Sequence, residues 1–111
     1  MVKRVFYIEK EKFLRQMMEF ALKAKGIEIY TVETIKDNFY LIDDLAPHLV
    51  IFGLNETPED LQKLYSYADK TKLCLFASEE EAQNADSRIQ AHLRKPLDAK
   101  ALAMRVLSLV D

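Results

Sequence analysis

The stretch His48-Leu49-Val50-Ile51-Phe52-Gly53-Leu54-Asn55 decides the fold. Pro47 precedes it, and the polar Asn55-Glu56-Thr57-Pro58 closes it. An apolar run without polar alternation is what a strand buried on both faces requires, because each face meets a packed layer and not water. The run therefore reads as the central strand of an α/β domain, with Gly53 at its end. In open parallel sheets the carboxyl edge of the central strands is where ligands and chemistry gather. The residue that stands there has no side chain.

On the N-terminal side, Val2 to Ile8 reads as a first strand. Lys12 to Lys25 reads as a helix, with Leu14, Met17, Met18, Ala21 and Leu22 spaced as one buried face and Gly26 closing it. Ile27 to Val32 alternates in part, as a half-exposed edge strand does. Thr34 to Leu45 reads as a second helix, with Thr34 and Asp37 as an approximate capping pair and Phe39, Ile42 and Leu45 inward.

On the C-terminal side, Thr57-Pro58-Glu59-Asp60 is a strong helix start: Thr as N-cap, Pro at the first helical position, acids in the first turn. That helix runs to about Asp69, with Leu61, Leu64, Tyr65 and Ala68 inward. Lys72 to Ala77 is another buried strand, and Ser78-Glu79-Glu80-Glu81 starts a fourth helix toward about Gln90. His92 to Arg94 is a brief last strand, Lys95-Pro96-Leu97 a turn, and Asp98 to Val110 a closing helix with Leu102, Val106, Leu109 and Val110 on one face. Strands alternating with helices imply a parallel sheet covered on both faces.

Composition fits one domain spanning residues 1–111. Half the residues are hydrophobic, and two Gly and three Pro leave little room for long irregular segments. The net charge of −2, from 16 basic and 18 acidic residues, gives no reason to expect direct contact with nucleic acid. The Val5–Ile8 run is too short for a signal-peptide core or a membrane span, so no membrane insertion is expected. The one cysteine, Cys74, sits in an apolar strand without a flanking His and reads as a buried packing residue. A single unpaired Cys fits a reducing compartment, and a cytoplasmic location is the expectation.

Three segments carry a resemblance to a known family. Gly26 with Ala46-Pro47-His48-Leu49-Val50-Ile51-Phe52 resembles "G-Y-x-V" and "x-P-D-L-V-L-L-D"; Ala77-Ser78 ends the fourth strand; Leu93-Arg94-Lys95-Pro96 resembles "hydrophobic-x-K-P". In this order on five βα units, the chain resembles the receiver domain of two-component response regulators, of which the chemotaxis regulators are examples. The resemblance implies a flavodoxin-like (βα)5 three-layer α/β sandwich, its parallel five-stranded sheet ordered 2-1-3-4-5.

A working receiver takes a phosphoryl group on an Asp at the end of the third strand. A pair of acids after the first strand holds Mg²⁺, and a Ser or Thr and a Lys engage the phosphoryl oxygens. Here the nucleophile position matches Gly53, and the acid pair matches Glu9 and Lys10. Ser78, Lys95 and Pro96 survive, with Pro96 a candidate for a cis peptide. The aromatic switch position matches His92, which is either a pH-responsive group or an ordinary strand-end residue. Asn55 matches a position that offers only its backbone carbonyl. Ser78 reads first as an N-cap with Glu81 completing a capping box. Two cations and one anion converging on the emptied site suggest that Glu9 pairs with Lys95 or Lys10. The short span from Ser78 to Lys95 implies a short or irregular fourth helix.

The expected function is that of a pseudo-receiver that takes no phosphoryl group. It would serve as a protein-interaction or adapter module in a bacterial two-component-type or regulatory system, with no cofactor, metal or catalytic residue. The alternative is a sensor of a small ligand or of pH, using the pocket around Gly53, Ser78 and Lys95. Phe13, Phe20 and Ala24 lie off the first helix's core stripe, and Ala101, Met104 and Ser108 beside Arg105 form an outer stripe on the last helix. Each is a candidate docking surface for a partner or a second copy, or part of a wider buried stripe.

Overall fold

The computed structural model of the protein describes residues 2–95 and 98–111. Strand and helix alternate along it: β1 (Arg4–Ile8), α1 (Lys12–Lys23), β2 (Glu28–Val32), α2 (Tyr40–Leu45), β3 (Leu49–Phe52), α3 (Pro58–Tyr65), β4 (Lys72–Ala77), α4 (Glu79–Ala82), β5 (Ala91–Arg94) and α5 (Ala99–Val110). The five strands are parallel and ordered β2-β1-β3-β4-β5. This is the flavodoxin-like arrangement expected from the sequence.

Each central strand is apolar on both faces because each face meets a different core. Leu49 and Ile51 of β3 pack with Val5, Tyr7, Cys74 and Phe76 under α1 and α5. Val50 and Phe52 point the other way and pack with Phe6, Ile8, Leu73 and Leu75 under α2, α3 and α4. All four β3 side chains are fully buried, each worth roughly 1.5–3 kcal/mol relative to exposure. β2, on the edge, is only half-buried along its length.

The helix signals divide. Thr57 caps α3 as expected, its hydroxyl accepting from the Asp60 N–H at 3.1 Å with Pro58 in the first turn. Ser78 and Glu81 form the expected capping box, and α4 is short, with four residues. Asp98 caps α5 through the Ala101 N–H at 2.7 Å. The second helix departs from expectation: it begins at Tyr40, not Thr34. Asp37 adopts left-handed backbone (φ 65°), which an α-helix does not accommodate. Thr34 does not cap; its hydroxyl donates to Glu56 Oε1 at 2.6 Å and ties this turn to the loop after β3. The α3 helix also ends early, at Tyr65, and continues as turns toward Thr71.

Candidate functional site at the carboxyl edge of the sheet

Parallel pairing brings four strand ends to one edge: Glu9 follows β1, Gly53 follows β3, Ser78 follows β4 and Lys95 follows β5. The Lys95 N–H donates to the Ala77 carbonyl at 3.0 Å, extending the β4–β5 ladder and fixing Lys95 at the rim. A small pocket of about 140 Å³ opens there, lined by Glu9, Gly53, Asn55, Phe76, Glu81 and Lys95. Glu9, Gly53 and Lys95 thus line one pocket. Lys10 and Ser78 are not among the lining residues. Pro96 and its expected cis peptide lie outside the described residues.

Glu9 does not form the expected ion pair. Among the described residues its carboxylate has no cation within 4 Å. Its Oε1 accepts from the Tyr7 hydroxyl at 2.8 Å and its Oε2 from the Glu11 N–H at 3.0 Å. The Tyr7 ring is fully buried, so its hydroxyl needs a partner close to the sheet, and Glu9 two residues on is within reach. Burial, and then the neighbouring carboxylate, push the Tyr7 phenol well above its usual range. Lys95 instead lies over the Phe76 ring, its Nζ 5.0 Å from the centroid. Lys10 is exposed, and its carbonyl accepts from Arg15 Nη1 at 3.0 Å.

Two residues that sequence reading gave no pocket role shape the site. Asn55 folds back, its Oδ1 3.3 Å from where a Cβ on Gly53 would stand. Glu81 adds a second carboxylate to the pocket wall. Its hydrogen bonds with Ser78, and to a lesser extent Lys95, hold its carboxyl below the usual range. Nothing in the local pattern announces either role, because both depend on loop geometry between distant strand ends.

This donor set does not suit a divalent cation. Mg²⁺ asks for several anionic oxygens free to turn inward, and both oxygens of Glu9 are already held while Lys95 adds a positive charge. Among the described residues no group of three or more His, Cys, Asp or Glu side chains is placed to hold a metal. The Ser78 hydroxyl accepts from the Glu81 N–H at 3.2 Å as a helix cap. His92 on β5 is half-buried, and its Nδ1 is buried without a hydrogen-bond partner. Burial, with Arg94 nearby, lowers its pKa from the ordinary imidazole value.

No protein-family model matches the chain, and no curated protein matches it in sequence. Solved structures do. A response regulator from Thermotoga maritima superposes with a TM-score of 0.83 over 99% of this chain and 98% of that one, at 15% identity. An orphan response regulator of H. pylori gives a TM-score of 0.81 over 98% and 97%, at 23% identity. The fold is that of a receiver domain. A third receiver-fold neighbour belongs to a family described as streptococcal redox sensors evolved from two-component response regulators. It gives a TM-score of 0.82 at 16% identity, over 97% of this chain and 51% of that protein.

Phe13 and Phe20 are 71% and 79% exposed, so they do not belong to a wider buried stripe of α1. Met18, Ala21 and Leu22 fill that role. Ala24, Ala101, Met104 and Arg105 are also exposed. No described helix is long and apolar enough to cross a membrane.

Proposed function

We propose that this receiver-fold domain is a pseudo-receiver: an interaction or adapter module of a bacterial two-component-type or regulatory system that carries no phosphoryl group and catalyses no reaction. The observation that carries this reading is Gly53 at the carboxyl end of β3, where a receiver needs a nucleophilic carboxylate. Three features support it. Glu9 is held by Tyr7 and Glu11, Lys10 stands where a second acid is needed, and Ser78 acts as a helix cap. With the pocket withdrawn from phosphoryl chemistry, the outer helical surfaces become the working parts. The domain is incubated with acetyl phosphate and Mg²⁺ and its intact mass measured. No phosphoryl adduct is expected, and a saturable, Mg²⁺-dependent adduct overturns the reading.

A second reading, a small-ligand sensor, draws on the pocket itself. Glu9, Glu81, Asn55 and Lys95 offer acceptors, an amide and a cation around about 140 Å³. A saturable rise in melting temperature with a small zwitterionic or amine ligand, abolished by Lys95→Ala and Glu81→Ala, favours this sensor. A thiol-based redox sensor is a poor fit: Cys74 is the only cysteine, is buried, and has its thiol pushed up to about 12 by that burial.

A further inference from the structure

We propose that the free edge of β2 pairs antiparallel with the same strand of a second copy, so that two domains share one continuous sheet around a two-fold axis at Tyr30. This goes beyond the interaction-module reading and makes no use of the pocket at the carboxyl edge.

β2 has a neighbour on one side only, because the sheet is ordered β2-β1-β3-β4-β5. The Glu28 N–H donates to the Lys3 carbonyl at 3.0 Å, and the Val32 carbonyl accepts from the Glu9 N–H at 2.9 Å. Residues two apart on a strand turn their backbone groups the same way, so Glu28, Tyr30 and Val32 address β1. Ile29 and Thr31 turn their N–H and C=O groups away from the sheet, where no strand takes them. An open groove of about 360 Å³ follows this edge, with Gly26, Ile27, Ile29 and Tyr30 among its lining residues, and leaves room for a further strand.

Proteins usually guard such an edge with a lysine, a proline, a bulge or an inward-pointing charge. β2 contains no lysine or proline, and it pairs with β1 residue for residue without a bulge. Ile29, Tyr30, Thr31 and Val32 are all good strand formers. The charged residue of the strand, Glu28, stands at its first position and is held by Arg4 Nε at 2.8 Å. The other edge, β5, is shorter and ends on the exposed Arg94.

Register selects the occupant. Only residues with outward backbone groups can exchange hydrogen bonds with a new strand. With the axis at Tyr30, Ile29 stands opposite Thr31 of the second copy and Thr31 opposite its Ile29, each pair exchanging both bonds. The two Tyr30 rings meet at a non-hydrogen-bonded position, where side chains approach most closely, and each covers surface that is 41% exposed in the single domain. Glu28 falls opposite Val32, so no like charges are opposed. An axis at Ile29 would need the Ile27 N–H, which already donates to the Leu22 carbonyl at 3.1 Å. An axis at Thr31 would set Ile29 against Glu33 and keep the Tyr30 rings apart. Two-fold pairing closes at the dimer, whereas head-to-tail stacking would not.

Sedimentation equilibrium and backbone amide exchange of the whole domain are read from about 10 μM to about 1 mM, a range suited to a small interface. A monomer–dimer equilibrium is expected. Exchange at Ile29 and Thr31 is expected to slow about tenfold or more as the dimer forms, since both N–H groups face water in the monomer. Tyr30→Lys and Tyr30→Glu each set like charges against each other at the axis, and each is expected to weaken association about tenfold or more. Their equimolar mixture is expected to recover most of it, because opposite charges then meet across the axis. Thr31→Pro removes an outward N–H that β1 does not use; it is expected to abolish dimerisation while the circular dichroism spectrum of the fold is kept. A domain that stays monomeric at about 1 mM overturns the proposal. A dimer that tolerates Tyr30→Lys overturns it too, as does a mixture of the two charged variants that recovers nothing. Protection confined to the outer faces of the helices, without Ile29 and Thr31, does the same. Where a variant fails to fold, exchange in the unmodified domain decides. A phosphoryl adduct bears on the pseudo-receiver reading alone.

Discussion

The Tyr7 hydroxyl donates a 2.8 Å hydrogen bond to Oε1 of Glu9, joining a fully buried ring to the rim of the sheet. The Glu11 N–H takes the other oxygen of the same carboxylate at 3.0 Å. A carboxylate held from both sides completes the structure of the first βα turn and is not poised to recruit a cation. The carboxyl edge of the sheet is therefore a connected network and not simply a gap. Asn55 leans toward Gly53, Lys95 covers Phe76, and Glu81 closes the wall.

Gly53 does not hold left-handed backbone, and its nearest neighbour beyond the adjacent residues is the flexible end of Asn55. Gly53→Asp is therefore expected to fold, with a stability change within about 1 kcal/mol. It is also expected to remain without a phosphoryl adduct, because Glu9 stays engaged and Lys10 repels a metal. Chemical denaturation and intact mass after acetyl phosphate treatment check both halves.

Alkaline pH should destabilise the fold through Cys74 and Tyr7. Burial raises the Cys74 thiol from 9.0 to about 12, and Tyr7 is raised as well. Above pH 9 the unfolded chain loses protons that the folded chain keeps, so stability is full below that pH and falls as pH rises toward 12. The slope for one such group approaches about 1.4 kcal/mol per pH unit. Cys74→Ala is expected to flatten the denaturation profile between pH 9 and 10.5, and an unchanged profile there contradicts the assignment.

His92 predicts an acid limb of opposite sign. Its pKa is lowered in the fold, so below the ordinary imidazole value of 6.5 the unfolded chain takes up a proton that the folded chain resists. Stability is then present above that value and lost as pH falls. His92→Phe keeps an aromatic ring and removes the buried, unpartnered Nδ1. It is expected to be more stable than the parent, with a larger gain at pH 5 than at pH 8, read by urea denaturation at the two pH values.

His48 closes the opposite edge of the sheet. Its Nδ1 accepts from the Arg4 N–H at 3.0 Å while its own N–H donates to the Arg4 carbonyl at 2.8 Å, so the imidazole stands in for a ladder carbonyl between β1 and β3. His48→Ala leaves the Arg4 donor without that acceptor and is expected to cost about 1–2 kcal/mol in urea denaturation. His48→Asn, which can offer an amide oxygen, is expected to recover part of the loss.

The sequence by itself determined the strands, the caps of α3 and α4, and the lack of a side chain at the end of β3. Leu49–Phe52 is apolar on both faces because two cores need it. Thr57 and Ser78 announce helix starts because a side-chain oxygen three residues ahead of a free N–H is local geometry. Gly53 has no carboxylate in any conformation. Tertiary structure decided what depends on distant neighbours. Asp37 turns left-handed while Thr34 reaches Glu56, which shortens α2 although the residues themselves tolerate a helix. Glu9 meets Tyr7 and not Lys95, and Asn55 leans toward Gly53, because the strand ends and their loops set which groups converge. Phe13 and Phe20 were legible as a shared face, but only the packing of α1 on the sheet settled that this face looks outward. Hydrophobic spacing fixes which residues share a side of a helix; the layer beneath fixes which side is buried.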